Sequence, residues 1–278
     1  MKRIYFVALC ALAMTIVACN NDDDNGVKAP SAVKTAFDAM YPDAKLDGWL
    51  SWRGYLVADF EQNGTDAQAW YDKTGKWYMT DTEIDYRSLP AAVRTAYQNS
   101  SYAGGWNIDD MEEMTRADME TIYVLEIWQG RTEQDLCYTP DGLLVTTIPY
   151  GYGDPTPWVP RAVPDSVRSY LGTNYAGYST IQIVAEGGST TALINYEGRV
   201  RSVLFDGSYA WKGTVWSITE NEVPETVTTA LAASQYASYI VQGIEQEQLP
   251  TGEYYLYELT NGNQNVVVRF SPEGNIIQ

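Results

Sequence analysis

Six carboxylates crowd into one short segment, and they are the first residues in the chain whose types could do chemistry. They are Asp109, Asp110, Glu112, Glu113, Asp118 and Glu120. Two carboxyl groups that face each other across a cleft hydrolyse glycosidic bonds, so a hydrolase using carboxylates alone is one hypothesis. Crowding along a single hairpin does not supply two opposed groups, and a charged hairpin is usually solvated. The pattern therefore favours a solvated acidic hairpin.

Other chemistry-bearing residues are few. The chain has no histidine, which removes the usual general base, the usual zinc ligand and every Ser-His or Cys-His pair. Cys137 lies in an alternating apolar stretch, where a cysteine without a histidine partner is typical of a small buried hydrophobe. The glycine pairs Gly104–Gly105 and Gly187–Gly188 lack the context of a phosphate-binding loop. We predict no catalytic residue, no cofactor, no metal ligand and no enzymatic activity.

The net charge of the chain limits the classes of molecule that it can bind. The 278 residues include 18 Lys and Arg against 36 Asp and Glu, a formal charge of −18. Such a chain repels a phosphate backbone, which excludes nucleic acid. A hydrophobic content of 45% is sufficient for one large or two ordinary domains with packed cores.

The N-terminus has the pattern of a bacterial lipoprotein signal. Lys2 and Arg3 precede an apolar run over residues 4–18, which is shorter than the roughly 20 residues of a membrane-spanning helix. Residues 16–19, Ile-Val-Ala-Cys, resemble a lipobox. We expect residues 1–18 to be the signal peptide and Cys19 to be the lipid anchor; an ordinary cleaved signal is the alternative.

Residues 19–29 are rich in Asn and Asp and predict an acidic, flexible tether. An acidic tract after a lipidated cysteine also resembles the surface-export signal of lipoproteins in the Bacteroides group. We therefore expect an outer-membrane lipoprotein, periplasmic or surface-exposed, that touches the membrane only through the Cys19 lipid.

Four prolines mark an internal repeat. Pro30, Pro90, Pro164 and Pro224 are each followed by Val three residues later and by a large apolar residue seven residues later. This spacing predicts a short amphipathic helix with one buried stripe. Pro30 to Pro164 and Pro90 to Pro224 are each 134 residues apart, so the chain is a two-repeat block duplicated once.

Each predicted helix precedes about four strand-like runs separated by turn residues. In the first repeat the runs are Leu46–Trp52, Tyr55–Glu61, Ala67–Asp72 and Lys76–Thr80. The predicted fold class is α+β, with tandem units of one helix packed on a roughly four-stranded antiparallel sheet.

The duplicated blocks predict two domains. Domain 1 covers residues 30–149, as repeats 30–89 and 90–149. Residues 150–162, rich in Pro, Gly and Tyr, form a linker. Domain 2 covers residues 163–278, as repeats 163–222 and 223–278.

The lipobox, the tandem units that open with a Leu/Val-Pro helix, the Tyr-rich second strands and the Gly-centred last turns resemble a known family. These features are similar to the PepSY-like, β-lactamase-inhibitor-like periplasmic lipoproteins of Bacteroides and relatives. The resemblance covers residues 30–278. It implies the fold of β-lactamase inhibitory protein, with an open sheet face that can meet a partner. It does not imply that a β-lactamase is inhibited.

Strand alternation indicates which side chains the open face carries. Leu56, Ala58 and Phe60 share one face, so Tyr55 takes the other. We predict a partner-binding face that includes Tyr55, Trp128 and Tyr254, because Tyr and Trp offer large contact areas with a polar tip. The predicted function is a non-enzymatic, lipid-anchored envelope protein that binds a protein or peptide, with an inhibitory or regulatory role. The alternative is a glycan-binding surface lipoprotein, whose sign would be two coplanar exposed Trp residues.

Overall fold

Each half of the chain forms one antiparallel sheet carrying two helices. The computed structural model describes residues 27–149 and 158–277. The chain divides into unit 1, Met1–Val159, and unit 2, Pro160–Gln278. This division falls inside the segment predicted as a linker. Cys19 lies outside the described residues.

Unit 1 holds the first two repeats. Its elements are α1 (Ser31–Met40), β1 (Lys45–Trp52), β2 (Tyr55–Gln62), β3 (Thr65–Tyr71), β4 (Trp77–Glu83), α2 (Ala91–Asn99), β5 (Asn107–Arg116), β6 (Ile122–Gln129), β7 (Thr132–Tyr138) and β8 (Leu144–Pro149).

Unit 2 holds the other two repeats. Its elements are α3 (Asp165–Asn174), β9 (Ser179–Glu186), β10 (Ser189–Tyr196), β11 (Arg199–Phe205), β12 (Trp211–Ser217), α4 (Glu225–Ala232), β13 (Ile240–Leu249), β14 (Gly252–Thr260), β15 (Asn265–Phe270) and β16 (Ile276–Ile277). No helix among the described residues has the length and apolar character needed to cross a membrane.

The strands follow one another in chain order as antiparallel meanders, β1 to β8 in unit 1 and β9 to β16 in unit 2. Pairing of β4 with β5, and of β12 with β13, joins the two four-stranded repeats of each unit into one continuous eight-stranded sheet. The predicted α+β class is confirmed. The continuous sheet was not predicted, because sequence pattern does not show which repeat edges pair.

Proline starts each helix in the position that the sequence predicts. Pro30, Pro90, Pro164 and Pro224 are the residues directly before α1 to α4. Proline suits this place because its missing N–H would have no partner in the first turn. The valine three residues later is buried in all four helices.

Both helices of a unit pack on the same face of its sheet. In unit 1, α1 packs on Leu56, Ala58 and Phe60, and α2 packs on Tyr123, Leu125 and Tyr138. The cross-strand register carries Phe60 through Ala67, Thr82 and Glu113 to Tyr123, so these side chains share one face. We call the opposite face of each sheet its open face.

Side-chain hydrogen bonds repeat at the 134-residue shift. The residue after α1, Tyr41, hydrogen-bonds Thr80 on β4, and the residue after α3, Tyr175, hydrogen-bonds Thr214 on β12 at 2.6 Å. A tryptophan indole donates to the same threonine in both units, at 2.9 Å from Trp77 and at 3.1 Å from Trp211. These bonds tie the C-terminal end of each unit's first helix to its sheet.

Glycine allows the turn before the last strand of a repeat to approach the helix backbone. A Cβ on Gly75 would lie 2.7 Å from the Ala32 carbonyl oxygen, and one on Gly142 would lie 2.7 Å from that of Ala92. Both glycines also have positive φ. The third repeat departs from the pattern, with Tyr209 in the equivalent place at a φ of 61°.

The contact between this turn and the helix predicts a stability difference between two glycine substitutions. We expect Gly75→Ala to lower the free energy of unfolding by about 1–3 kcal/mol more than Gly54→Ala, the usual cost of forcing atoms into a packed site. Gly54 has a similar φ, 93° against 89°, but no atom within 4 Å of the added Cβ. Urea unfolding measures both variants, and equal losses would contradict the role given to the helix contact.

Candidate functional site

The three residues predicted for partner binding all lie on open faces, as strand alternation indicated. Tyr55 is half-buried on β2, with ring contacts to Trp70 at 6.0 Å and to Tyr78 at 5.3 Å. Trp128, on β6, is 40% exposed. The strands that carry Tyr55 and Trp128 are four inter-strand spacings apart in the sheet, about 19 Å at ~4.8 Å per spacing. The structure therefore does not bring these two side chains into one site.

Tyr254 belongs to the open face of unit 2. It is half-buried, and the Arg269 guanidinium lies 5.7 Å from the centre of its ring. Arg269 also forms an ion pair with Glu247 at 2.9 Å. The Tyr254 ring thus lies beside a guanidinium whose charge is paired with the Glu247 carboxylate. Its part in partner binding stays a prediction, as do those of Tyr55 and Trp128.

Part of the open face of unit 1 is covered by the chain itself. Trp158 and Val159 are buried, and the Arg116 guanidinium lies 5.6 Å from the Trp158 ring. Arg116 pairs with Met79 across β4 and β5, on the open face, and donates a 2.9 Å hydrogen bond to the Glu120 carbonyl oxygen. Segment 158–159 therefore returns to the sheet that the chain leaves at Pro149.

A row of like charges crosses three strands on this face. The register pairs Asp110 of β5 with Glu126 of β6, and Glu126 with Asp135 of β7. We call these three residues the carboxylate row. Like charges directly opposite each other destabilise a sheet, since the Cβ atoms are only about 4.5–5.5 Å apart. The fold retains the row despite that cost.

Asp135 is the most deeply buried residue of the row. Its exposed fraction is 0%, and both carboxylate oxygens have no hydrogen-bond partner. Burial, and then the charges of Glu126 and Glu133, raise the pKa of Asp135 to about 7. Burial also raises the pKa of Asp81 on β4 to about 7, with contributions from Asp110 and Glu126. A buried carboxylate without a donor or cation is among the costliest groups a core can hold.

The acidic hairpin is only partly the solvated surface that we predicted. Asp109 and Asp118 are exposed, but Asp110 and Glu112 are half-buried. Burial, and then the charges of Asp81 and other carboxylates, raise the pKa of Glu112 to about 9. The prediction was wrong for Asp110 and Glu112 because β4 and β7 pair with the two outer edges of the β5–β6 hairpin and bury part of its face.

A cleft opens beside the carboxylate row. It is partly open to solvent, its interior has space of about 20 Å³ for a water-sized sphere, and it is lined by Asp109, Glu126, Ile127, Trp128, Glu133, Gln134 and Asp135. Carboxylates and the exposed Trp128 indole thus line the same cleft, with Trp128 paired to Glu133 across β6 and β7. In residues 27–149 and 158–277 no group of three Cys, Asp or Glu side chains is arranged to hold a metal ion.

Cys137 lies two residues beyond Asp135 on β7 and is fully buried with a free thiol. Burial raises the pKa of the thiol well above its usual value, so the thiolate is disfavoured at neutral pH. The prediction of a small buried hydrophobe is confirmed.

Neutralising Asp135 tests whether the buried row costs stability. The folded state keeps the Asp135 proton up to about pH 7, whereas an ordinary carboxyl loses it near 3.8. Stability therefore falls as the pH rises through this window. We expect Asp135→Asn to raise the free energy of unfolding by about 1–3 kcal/mol at pH 8 and to change it little at pH 4.

The control is Asp66→Asn, which removes the same charge from an exposed position on β3 of the same face. Urea unfolding at pH 4, 6 and 8 measures all three proteins. An Asp135→Asn effect that is the same at each pH would show that charge burial is not the cause.

The chain is similar to a known protein family and to several solved structures. A family model described as beta-lactamase-inhibitor-like, PepSY-like matches residues 54–146 and 188–278. A BLIP-like protein of solved structure from Bacteroides fragilis is 31% identical over 50% of this chain and 99% of its own, with a TM-score of 0.45. A DUF2874 family protein from Bacteroides uniformis is 28% identical over 46% of this chain and 94% of its own, with a TM-score of 0.44.

A Bacteroides eggerthii protein described as periplasmic is 25% identical over 44% of this chain and 90% of its own, with a TM-score of 0.43. A search of curated proteins finds no match. The family resemblance of the sequence is confirmed, with one matched region in each unit. Since these regions cover more than half of its residues, the chain belongs to the beta-lactamase-inhibitor-like, PepSY-like family.

Proposed function

We propose that this chain is a non-enzymatic protein of the cell envelope that binds a protein partner through its open sheet faces, with an inhibitory or regulatory role. The observation that carries the proposal is the placement of both helices of each unit on one side of the sheet. The other side presents aromatic and aliphatic side chains without a helix over them. Membership of an inhibitor-like family supports the same reading.

The side chains of the open faces suit a broad protein contact. In unit 1, Leu50 and Trp52 at the edge strand are 49% and 41% exposed. In unit 2 the open face has half-buried aliphatic residues on four strands, Leu193, Leu204, Val215 and Leu256, with Val267 41% exposed. Large apolar groups with a polar surround are typical of protein interfaces.

A glycan platform has less support. The exposed tryptophans among the described residues are Trp52 on β1 and Trp128 on β6. Their strands are five inter-strand spacings apart, about 24 Å at ~4.8 Å per spacing, so they cannot stack on one sugar ring. A carboxylate-only hydrolase also has little support, because the carboxylate row projects from one face and does not oppose a second group across a cleft.

We place the protein at the outer membrane through lipid on Cys19, on the periplasmic side or at the surface. The lipobox and acidic tether carry this part of the proposal. A neighbour described as periplasmic is consistent with it.

Affinity capture from the native envelope tests the binding proposal. We expect the wild-type chain to recover a protein that a Tyr55→Ala, Trp128→Ala, Tyr254→Ala variant loses, because these side chains supply large contact areas on the two open faces. A fall of at least about tenfold in the amount recovered is the expected size for the loss of aromatic anchors.

The matched control replaces Met40, Leu144 and Tyr209 by alanine, since these apolar side chains are similarly exposed, at 43%, 44% and 40%, but do not lie on an open face. Circular dichroism verifies that both variants are folded. Recovery of the same protein by all three chains would contradict binding at the open faces, and glycan-array binding without a protein would favour the alternative.

The lipid anchor has its own test. We expect Cys19→Ala to abolish incorporation of labelled palmitate and to release the protein from the membrane fraction, because the cysteine sulfur carries the diacylglycerol. Cys10→Ala, in the apolar run before it, is the control and should keep the label. Palmitate labelling of the Cys19→Ala variant would exclude this anchor.

A further inference from the structure

The carboxylate row and the cleft beside it are a feature that the proposed function does not explain. Partner binding needs exposed contact area, and Asp135 has none. Both of its oxygens nevertheless lack a hydrogen-bond partner, and Asp135 lines the cleft. A buried acceptor that has no donor among residues 27–149 and 158–277 requires an explanation, and one that lines a cleft can accept a hydrogen bond from a donor that enters from outside.

The second unit serves as an internal control for what the fold requires. In both units a bulge interrupts the pairing of the fifth and sixth strands at the same place, between Ile108 and Asp110 in unit 1 and between Val241 and Gly243 in unit 2. Counting from this bulge, the positions of Asp110, Glu126 and Asp135 correspond to those of Gly243, Glu258 and Val267.

Unit 2 therefore builds the same strands with one carboxylate where unit 1 has three. The position of Trp128 is held by Thr260, and that of Glu133 by Asn265. Folding does not need the carboxylate row, and the row destabilises the sheet that holds it. Groups that are kept at a cost to stability are typical of binding sites.

We infer that this cleft receives an arginine side chain of the protein partner, with the guanidinium between the carboxylate row and the Trp128 ring. This inference rests on the proposed function and names the chemistry by which the partner is recognised. Complementary charge is its first basis, since the cleft is lined by Asp109, Glu126, Glu133 and Asp135 and by no cation.

The shape of the site favours guanidinium over other cations. A guanidinium is planar, donates in a fork to paired oxygens and stacks on an indole face, whereas an ammonium does neither of the last two well. The carboxylates lie in a row across the strands, and the described part of the chain has no three-residue group suited to a metal ion.

The test uses the full chain in non-ionic detergent at 150 mM NaCl and observes small probes by saturation-transfer NMR. The probe is Nα-acetyl-arginine amide, and its uncharged isostere, Nα-acetyl-citrulline amide, is the comparison. We expect the arginine probe to bind and the citrulline probe not to bind. Asp135→Asn and Trp128→Ala should each weaken binding by at least about tenfold, the scale of one charge-assisted or stacking contact.

Asp66→Asn is the matched control and should leave binding unchanged, because it removes a charge from the same face outside the cleft. Thermal unfolding verifies that each variant is folded. Equal binding of the citrulline probe, or equal weakening by Asp66→Asn, would overturn the inference. Binding of Nα-acetyl-lysine amide as tight as that of the arginine probe would overturn the guanidinium assignment, and displacement by millimolar CaCl₂ that depends on Asp135 would reassign the cleft to an inorganic cation.

The outcome is separable from that of the proposed function. If a captured partner is lost with the Tyr55, Trp128 and Tyr254 variant but is retained equally by wild type and Asp135→Asn, protein binding stands and the arginine site falls. If the arginine probe binds through Asp135 but no protein is captured by the open faces, the arginine site stands and protein binding at the open faces is contradicted.

Discussion

The rest of the structure depends on the fact that each repeat has one helix and each sheet has two faces. Four strands with alternating side chains must bury one side, and the stripe of Val33 and Phe37, like its counterparts in the other repeats, covers that side. Pairing two repeats edge to edge leaves two fewer unpaired strand edges, but it places no helix on the second side of the sheet. An eight-stranded sheet with one face without helices is the necessary result.

The open faces of the two units carry different side chains. In unit 1 the chain itself covers part of this face, because the buried Trp158 packs beside Arg116. Cys137 is buried on the same side. In unit 2 the position of Cys137 is taken by Arg269, which pairs with Glu247 and lies beside Tyr254. One duplicated framework therefore supports an acidic face and a mixed face, which enlarges the range of surfaces that a single chain can present.

The acidic face also shows where stability has been given up. Asp110, Glu126 and Asp135 stand opposite one another across three strands, and burial holds the pKa of Asp135 near 7. A sheet selected only for stability would place apolar or oppositely charged pairs there, as unit 2 does with Val267. The internal duplication makes this comparison within one molecule, under the same backbone constraints.

Local pattern in the sequence was sufficient for much of the fold. The proline-led helices, the strands and their inward and outward faces follow from the 3.6-residue and two-residue periods, which operate within a few neighbouring residues. The 134-residue shift likewise predicted the duplication that the Tyr41–Thr80 and Tyr175–Thr214 hydrogen bonds repeat. The family follows from the same features.

Only the tertiary structure decided which side chains become neighbours when they lie on strands that are distant in sequence. Asp81, Glu126 and Asp135 lie on three different strands, so their convergence with Asp110 depends on the pairing of β4 with β5 and on the β5 bulge. Nothing in the sequence near Asp135 distinguishes it from a solvated aspartate. Its burial comes from neighbouring strands, because desolvation is a property of the packed environment and not of the residue.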